Sequence, residues 1–123
     1  MDLSFLKGIY VLILTPVREN EEVDVERLRE HVNYIIDKGV HGILAHGSNG
    51  EFYMFDDNDY ELITRTIVEE AKGRIPVLMG IGAIRISKAI KLAKLGEKLA
   101  VLAAHGGDGL PEPEPANLHH FLK

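Results

Sequence analysis

Small polar side chains stand between glycines near the middle of this 123-residue chain, directly after an apolar run. The segment 42–52 reads GILAHGSNGEF, so Ser48 and Asn49 lie between Gly47 and Gly50. Glycine lets a backbone approach a ligand closely, and hydroxyl, amide and backbone N–H donors together can satisfy a carboxylate. The pattern makes Gly47, Ser48 and Asn49 candidates for binding a small carboxylate, although on its own it favours the alternative. The alternative is a strand–helix turn whose side chains only cap local backbone groups.

A further candidate residue, Thr15, directly follows the apolar run Ile9–Leu14. Ligands of parallel α/β folds bind beyond the carboxyl ends of the strands, so Thr15 is expected at the same edge as Ser48. Thr15 is therefore a candidate substrate-binding residue, with packing or capping as the alternative. Glu51 is expected to accept hydrogen bonds within the turn, and His46 to be a core histidine with satisfied hydrogen bonds.

Three apolar runs alternate with amphipathic segments, which predicts an α/β fold of strand–helix units with parallel strands. The expected strands are 9–14, buried on both faces, 40–46 and 75–81. Asp24 and Asp56 are expected to cap the first two helices, and the third begins near Ser87. The first two helices should stop at 38–39 and 72–73. The predicted buried stripe of the second helix is Leu62, Ile63, Ile67 and Val68.

The pattern changes after residue 98, which divides the chain into a regular α/β part, 1–98, and a divergent tail, 99–123. Residues 99–104 fit a fourth strand or an extension of the third helix about equally well. Residues 110–115 carry three prolines and are expected to be an extended spacer, because proline removes a donor and restricts the residue before it. Residues 116–123 are expected to begin a short helix.

Composition limits the kinds of partner. A net charge of -5 and a pI near 5.6 disfavour nucleic acid, whose phosphates would be repelled without a clustered basic face. The absence of cysteine excludes disulfides and thiolate chemistry. The apolar run near the N-terminus is too short to cross a membrane and lacks a signal-peptide cleavage site. A cytoplasmic protein without nucleic-acid or membrane partners is expected.

The sequence predicts neither a bound cofactor nor a metal site. Gly80 and Gly82 begin a glycine-rich motif, but Arg85 stands where the third glycine of a dinucleotide fingerprint belongs. Close passage of the backbone is the expected use of these glycines. The histidines lack carboxylate partners at a spacing that metal sites use.

The order of these motifs resembles the dihydrodipicolinate synthase and N-acetylneuraminate lyase family of class I aldolases. The likeness runs from residue 8 to 98 and rests on Gly8–Pro16, Asp24–Gly42, Gly47–Phe52 and Gly80–Ala83. Most members carry Thr where this chain has Asn49, and the Ser-Asn pair is similar to the 4-hydroxy-2-oxoglutarate aldolase branch. The resemblance implies a (β/α)₈ TIM barrel, which takes about 250 residues when complete, so the first three to four units are expected here. It also implies that Ser48 and Asn49 hold the carboxylate of pyruvate or another 2-oxo acid.

The same resemblance implies a barrel lysine that forms a Schiff base with the 2-oxo acid, assisted by a tyrosine. The lysines of this chain fall on helices or chain ends, and His105–Gly109 stands where the tyrosine segment belongs. No catalytic residue is assigned, and the expected function is a truncated lyase that is inactive alone. The alternatives are a non-catalytic scaffold and a half-enzyme completed by another chain. Open strand edges predict a homo-oligomer or such a complementing partner.

Overall fold

The computed structural model describes residues 6–82 and 85–101. Its strands are β1 (Tyr10–Leu12), β2 (Gly42–Ala45) and β3 (Val77–Met79), and its α-helices are α1 (Val25–Asp37), α2 (Asp57–Ala71) and α3 (Ile86–Gly96). Short 3₁₀ turns over Ser48–Gly50 and Phe52–Met54 separate β2 from α2. The strands pair in parallel in the order β1-β2-β3, which confirms the predicted parallel α/β arrangement.

The core lies between one face of the sheet and the helices α1 and α2. Ile43 of β2 pairs in register with Val11 and Val77, and because side chains alternate across a strand these residues share the helix-covered face. Ile43 and Ile13 are almost completely buried there. The helices contribute Leu28, Val32, Ile35, Ile63, Ile67 and Ala71 to the same cluster.

The prediction that the first strand is buried on both faces is wrong. Ile9 and Leu14 are 67% and 55% exposed, and Leu12 is 38% exposed. The physical reason is position, because β1 forms one edge of the sheet and has β2 as its partner within the described part of the chain. The face of β1 that carries Leu12 has no covering layer there. A strand of a closed barrel would have neighbours on both sides.

Helix capping follows the sequence closely. Asp24 caps α1 by accepting a hydrogen bond from the backbone N–H of Arg27. Asp56 caps α2 by accepting a hydrogen bond from the backbone N–H of Asp59. The Asp59 carboxylate in turn accepts one from the backbone N–H of Asp56, and the two bonds form a capping box. Both predicted caps are confirmed. The α2 helix ends at Lys72 in the left-handed conformation, as expected for a stop at 72–73.

A polar network joins α1 to the carboxyl-terminal end of α2. Glu70 accepts hydrogen bonds from Asn33 Nδ2 at 2.7 Å and from Arg29 NH1 at 3.0 Å. Arg74 donates to Asn33 Oδ1 at 2.7 Å. The hydrogen bond from Asn33 lowers the pKa of Glu70 most, and the hydrogen bond from the Arg29 guanidinium lowers it further. The network fixes the relative position of the two helices that cover the sheet.

The buried stripe of α2 differs from the prediction at one position. Leu62 is 40% exposed, whereas Thr64 and Thr66 are buried. Hydropathy favoured Leu62, but the two threonine hydroxyls find partners, so burying them carries little penalty. Thr66 Oγ1 donates to the carbonyl of Leu62 at 2.7 Å, and Thr64 Oγ1 bonds to His46.

The third helix begins one residue earlier than predicted and continues past its α-helical part. Arg85 occupies the cap position without a side-chain hydrogen bond, and a π-helical turn over Glu97–Val101 follows Gly96. Residues 99–101 therefore continue the helix. Residues 102–104, the proline-rich spacer and the expected last helix lie outside the described residues.

The orientation of α2 can be tested with two neighbouring substitutions. Ile63→Ala should lower the free energy of unfolding by about 3 kcal/mol, because Ile63 is fully buried and a cavity would remain. Leu62→Ala should cost less than about 1 kcal/mol, because that side chain is already partly solvated. Urea denaturation of both variants measures the difference. Equal losses would show that the helix is rotated from the orientation described.

Candidate functional site

The loop after β2 bends sharply at both ends. His46 and Glu51 adopt the left-handed conformation, with φ of 59° and 54°, and enclose the turn Ser48–Gly50. Within the turn, the N–H of Gly50 donates to the carbonyl of Gly47 and that of Glu51 to the carbonyl of Ser48. Ser48 and Asn49 are exposed, and within the described residues their side chains and backbone N–H groups have no hydrogen-bond partner. Four donor groups, namely two backbone N–H groups, the Ser48 hydroxyl and the Asn49 amide, are therefore free for a ligand.

The glycines of the loop contact strand β1. A Cβ atom on Gly47 would lie 2.7 Å from Leu12 Cδ2, and one on Gly50 would lie 3.0 Å from the carbonyl oxygen of Ile13 and 3.3 Å from Thr15 Oγ1. The sequence suggested that these glycines admit a ligand. That role stays a prediction, and the structure shows a further use, since the glycines let the loop pack on the end of β1 and place it beside Thr15.

An open cavity of about 770 Å³ lies where the loop meets the amino-terminal half of α1. Thr15 and Asn49 both line it, so the structure brings these two predicted residues together. Ser48 and Gly47 are outside its lining. The remaining wall is formed by Leu14, Pro16, Arg27, Glu30, His31, Tyr34 and Glu51.

The α1 side of this cavity was missed by the sequence reasoning. Arg27, His31 and Tyr34 recur at a spacing of four and three residues, on a face of α1 separate from the buried Leu28 and Val32. That spacing was the available signal. Arg27 is the cation of the cavity, with Nε 3.7 Å from Asp24 Oδ2 and a side chain that is 77% exposed. Burial lowers the pKa of His31.

His46 lies in the core directly before the loop. Its ring stacks on Tyr60, with centroids 3.4 Å apart and planes 10° apart, and its Nε2 lies 2.8 Å from Thr64 Oγ1. Burial lowers the pKa of His46 to about 4, against a smaller opposing effect of the Tyr60 backbone. The expected core position is confirmed, but the expected full satisfaction is not, because Nδ1 is buried without a partner in the described part of the chain.

Gly80 passes close beneath this histidine. Its N–H donates to the carbonyl of Ala45 at 2.8 Å, and a Cβ there would lie 2.5 Å from the carbonyl oxygen of His46. Tyr60 donates its hydroxyl hydrogen to the carbonyl of Gly80. The close backbone passage expected at Gly80 is therefore found. Gly82 has a different neighbour, the ring of Phe52.

Every described lysine is exposed and lies outside the three strands. Lys88 and Lys91 are close to the carboxylate of Asp57, with Lys91 Nζ donating at 2.7 Å. A lysine becomes a nucleophile when burial or a nearby cation lowers its pKa, and exposed lysines lack the first of these conditions. No cluster of three or more metal-ligating side chains and no helix able to span a membrane occurs among residues 6–82 and 85–101.

Comparison with known proteins assigns this arrangement to a family. The model of the dihydrodipicolinate synthetase family matches residues 5–105. The chain belongs to this family. That match extends past residue 98, where the sequence suggested that the regular part ends, and the position of the boundary stays a prediction.

Family relatives match with moderate identity. The 4-hydroxy-tetrahydrodipicolinate synthase of Nitrosospira multiformis is 39% identical over 93 residues, which cover 76% of this chain and 31% of the relative. The enzyme of the same name from Methanocaldococcus jannaschii is 35% identical over 91 residues, or 74% of this chain and 31% of the relative. The chain thus spans about a third of the length of these curated relatives.

Solved structures of the family superpose on the described fold. N-acetylneuraminate lyase from Mycoplasma synoviae gives a TM-score of 0.74 at 28% identity, over 80% of this chain and 34% of that one. A dihydrodipicolinate synthase from Acinetobacter baumannii, solved with pyruvate, gives a TM-score of 0.74 at 31% identity. The match covers 76% of this chain and 32% of that one. The three strand–helix units are therefore part of a TIM barrel, as the family resemblance implied.

Burial of His46 predicts loss of stability in acid. The folded-state pKa of about 4 lies below the ~6.5 of an exposed histidine, so the unfolded chain binds the proton more readily. This contribution is fully present above about pH 6.5 and is lost as the pH falls to about 4, by roughly 3 kcal/mol. Urea denaturation across this range measures it, and subtracting the same curve for His46→Asn removes the effects of other groups. Parallel curves for the two proteins would contradict the prediction.

Proposed function

We propose that this chain binds the carboxylate of a small 2-oxo acid, such as pyruvate, as the amino-terminal part of a Schiff-base lyase barrel. The observation that carries the proposal is the exposed Ser48-Asn49 turn with unpaired donors at the carboxyl end of β2. Thr15 lies beside this turn and supplies a further hydroxyl. Gly47 allows this position without displacing the side chain of Leu12, whose Cδ2 would lie 2.7 Å from a Cβ there.

The chemistry of the turn suits a compact anion. A carboxylate oxygen accepts charge-assisted hydrogen bonds, which are shorter and stronger than those to neutral groups. The turn offers two backbone N–H groups, a hydroxyl and an amide, and Arg27 adds a positive charge at the cavity wall. Glu30 and Glu51 line the same cavity and disfavour larger polyanions, which favours a monocarboxylate. The pyruvate complex of the Acinetobacter baumannii relative supports this ligand class.

Reaction of the carbonyl requires an amine, and the described residues, 6–82 and 85–101, present none at this edge. In a Schiff-base aldolase, a lysine amine adds to the carbonyl carbon and water leaves, and the amine must be neutral to attack. The described lysines are exposed, with Lys7, Lys38 and Lys72 preceding the strands, whereas the turn follows one. We infer that this part of the protein orients the acid and that another segment or another chain supplies the amine.

Exposed apolar surface favours completion by another chain over an isolated scaffold. Ile9 and Leu14, which flank the edge strand β1, are more than half exposed, and Leu12 lies on the uncovered face of the sheet. Exposed edges with apolar side chains readily pair with a further strand. A second copy of this chain or a complementary barrel segment would cover this surface.

Binding can be tested by titrating pyruvate into isotope-labelled protein. Saturable amide shifts are expected at Ser48, Asn49 and their neighbours. Pyruvamide should bind at least tenfold more weakly, because it lacks the carboxylate charge. Asn49→Ala should weaken pyruvate binding about tenfold, and the exposed Asn58→Ala should have no effect.

The positions of the shifted amides test the binding site as strictly as the magnitudes of the shifts do. Equal shifts with pyruvate and pyruvamide, or shifts confined to residues remote from the turn, would contradict it. A normal affinity in Asn49→Ala would remove Asn49 from the site and leave the backbone N–H groups as the donors to be tested.

Association can be tested by size-exclusion chromatography with light scattering. The chain is expected to elute as a dimer or larger, and Leu14→Glu should shift it toward the monomer by placing a charge on the exposed edge. Ile86→Glu is the matched control, because Ile86 is 77% exposed on α3, away from β1. A monodisperse monomer for the unchanged chain would contradict the proposal of a completing partner.

A further inference from the structure

His46 keeps a side chain at a backbone position that favours glycine. Its φ of 59° lies in the left-handed region, which non-glycine residues enter at a cost. The bend at His46 ends β2 and turns the chain into the loop that carries Ser48 and Asn49. A bulky ring at such a bend requires compensating contacts.

Those contacts come from the face of α2 that packs on the sheet. The imidazole of His46 stacks on Tyr60 and its Nε2 bonds to Thr64, one helical turn later. Both side chains are buried, and both belong to one rigid helix. The start of the loop is thereby attached to α2 through a side chain as well as through the backbone.

A third segment joins at the same point. Tyr60 donates to the carbonyl of Gly80, and the N–H of Gly80 donates to the carbonyl of Ala45. Gly80 also lies so close to the His46 carbonyl that no side chain fits between them. The residues after β2, the first turns of α2 and the residue after β3 therefore meet around one histidine.

We propose that His46 is a positioning residue for the carboxylate-binding turn, fixing the direction in which Ser48 and Asn49 leave β2. The proposal rests on the proposed function of that turn. Ser48 and Asn49 have no side-chain hydrogen bonds of their own within the described residues, so their orientation is set at the ends of the turn. His46 fixes one end, and the contact of Gly50 with β1 fixes the other.

Protonation of His46 should release this anchor. Tyr60 is the titratable side chain in contact with the ring among the described residues, and burial raises its pKa, so it stays neutral and offers no countercharge. Thr64 is neutral, and Thr64 Oγ1 also lies 3.4 Å from the sulfur of Met79. A charged imidazolium would be buried without a carboxylate partner in this part of the structure, which disfavours the stacked position.

The test compares His46→Asn with the unchanged protein. Asparagine tolerates the left-handed conformation, so the substitution keeps the bend and removes the stacked ring. Pyruvate affinity at about pH 7 should fall about tenfold, and amide relaxation at Ser48 and Asn49 should show increased motion. The pyruvate affinity of the unchanged protein should also decrease below about pH 5. The affinity of the variant, already lower at about pH 7, should not decrease further in acid.

Thr64→Val is a second, milder variant that removes the partner of Nε2 and retains the stack. It should weaken pyruvate binding by a smaller factor and keep the acid-dependent decrease. Unfolding curves recorded in parallel separate loop effects from global stability. If His46→Asn does not fold, the Thr64→Val data decide, and unchanged affinity there overturns the proposal.

The outcomes separate this inference from the proposed function. If the unchanged protein shows no pyruvate binding, the proposed function fails, and the amide relaxation still reports whether His46 orders the turn. If the unchanged protein binds pyruvate and His46→Asn binds equally well with an equally rigid turn, the positioning role is wrong while the binding site stands.

Discussion

The packing of the glycine-bracketed loop on the end of β1 is the contact on which the site depends. Gly47 meets the Leu12 side chain and Gly50 meets the carbonyl of Ile13, so closely that a Cβ at either position would require its neighbour to shift. This contact is possible because β1 and β2 are parallel neighbours whose carboxyl ends lie at the same edge. It places Asn49 beside Thr15 and leaves the donors of the turn facing outward. The polar network between α1 and α2 joins the two helices that cover one face of the same sheet.

This part of the chain meets the requirements of carboxylate binding better than those of imine formation. Binding of an anion needs fixed donors, and the turn supplies them because it is supported by the end of β1 and, through His46, by α2. Imine formation needs an amine whose pKa is lowered by burial or by a nearby cation, and burial requires walls on all sides. An open three-stranded sheet cannot provide such walls, so its lysines stay in water. The same openness exposes the apolar side chains of β1. The exposure of the lysines and the exposure of the apolar side chains of β1 thus both follow from the open sheet.

Sequence reasoning succeeded where the signal is local. Asp24 and Asp56 cap helices because a carboxylate there satisfies free N–H groups, and this depends on a few neighbouring residues. It failed where the answer depends on distant contacts. Leu62 was expected in the core, but Thr64 occupies that face because His46 supplies a partner 18 residues away. The burial of β1 on both faces was wrong for a similar reason, since it depends on neighbouring strands. The site was only partly foreseen, because the cavity joins Thr15 and Asn49 with residues of α1 that carry no motif.

A structure determined with bound pyruvate would show whether the turn holds the carboxylate. We expect carboxylate oxygens within about 3 Å of donors from Ser48 and Asn49, with the carbonyl carbon unattached to any lysine of this chain. Pyruvate bound elsewhere, or continuous density between its carbonyl carbon and a lysine Nζ of this chain, would contradict it.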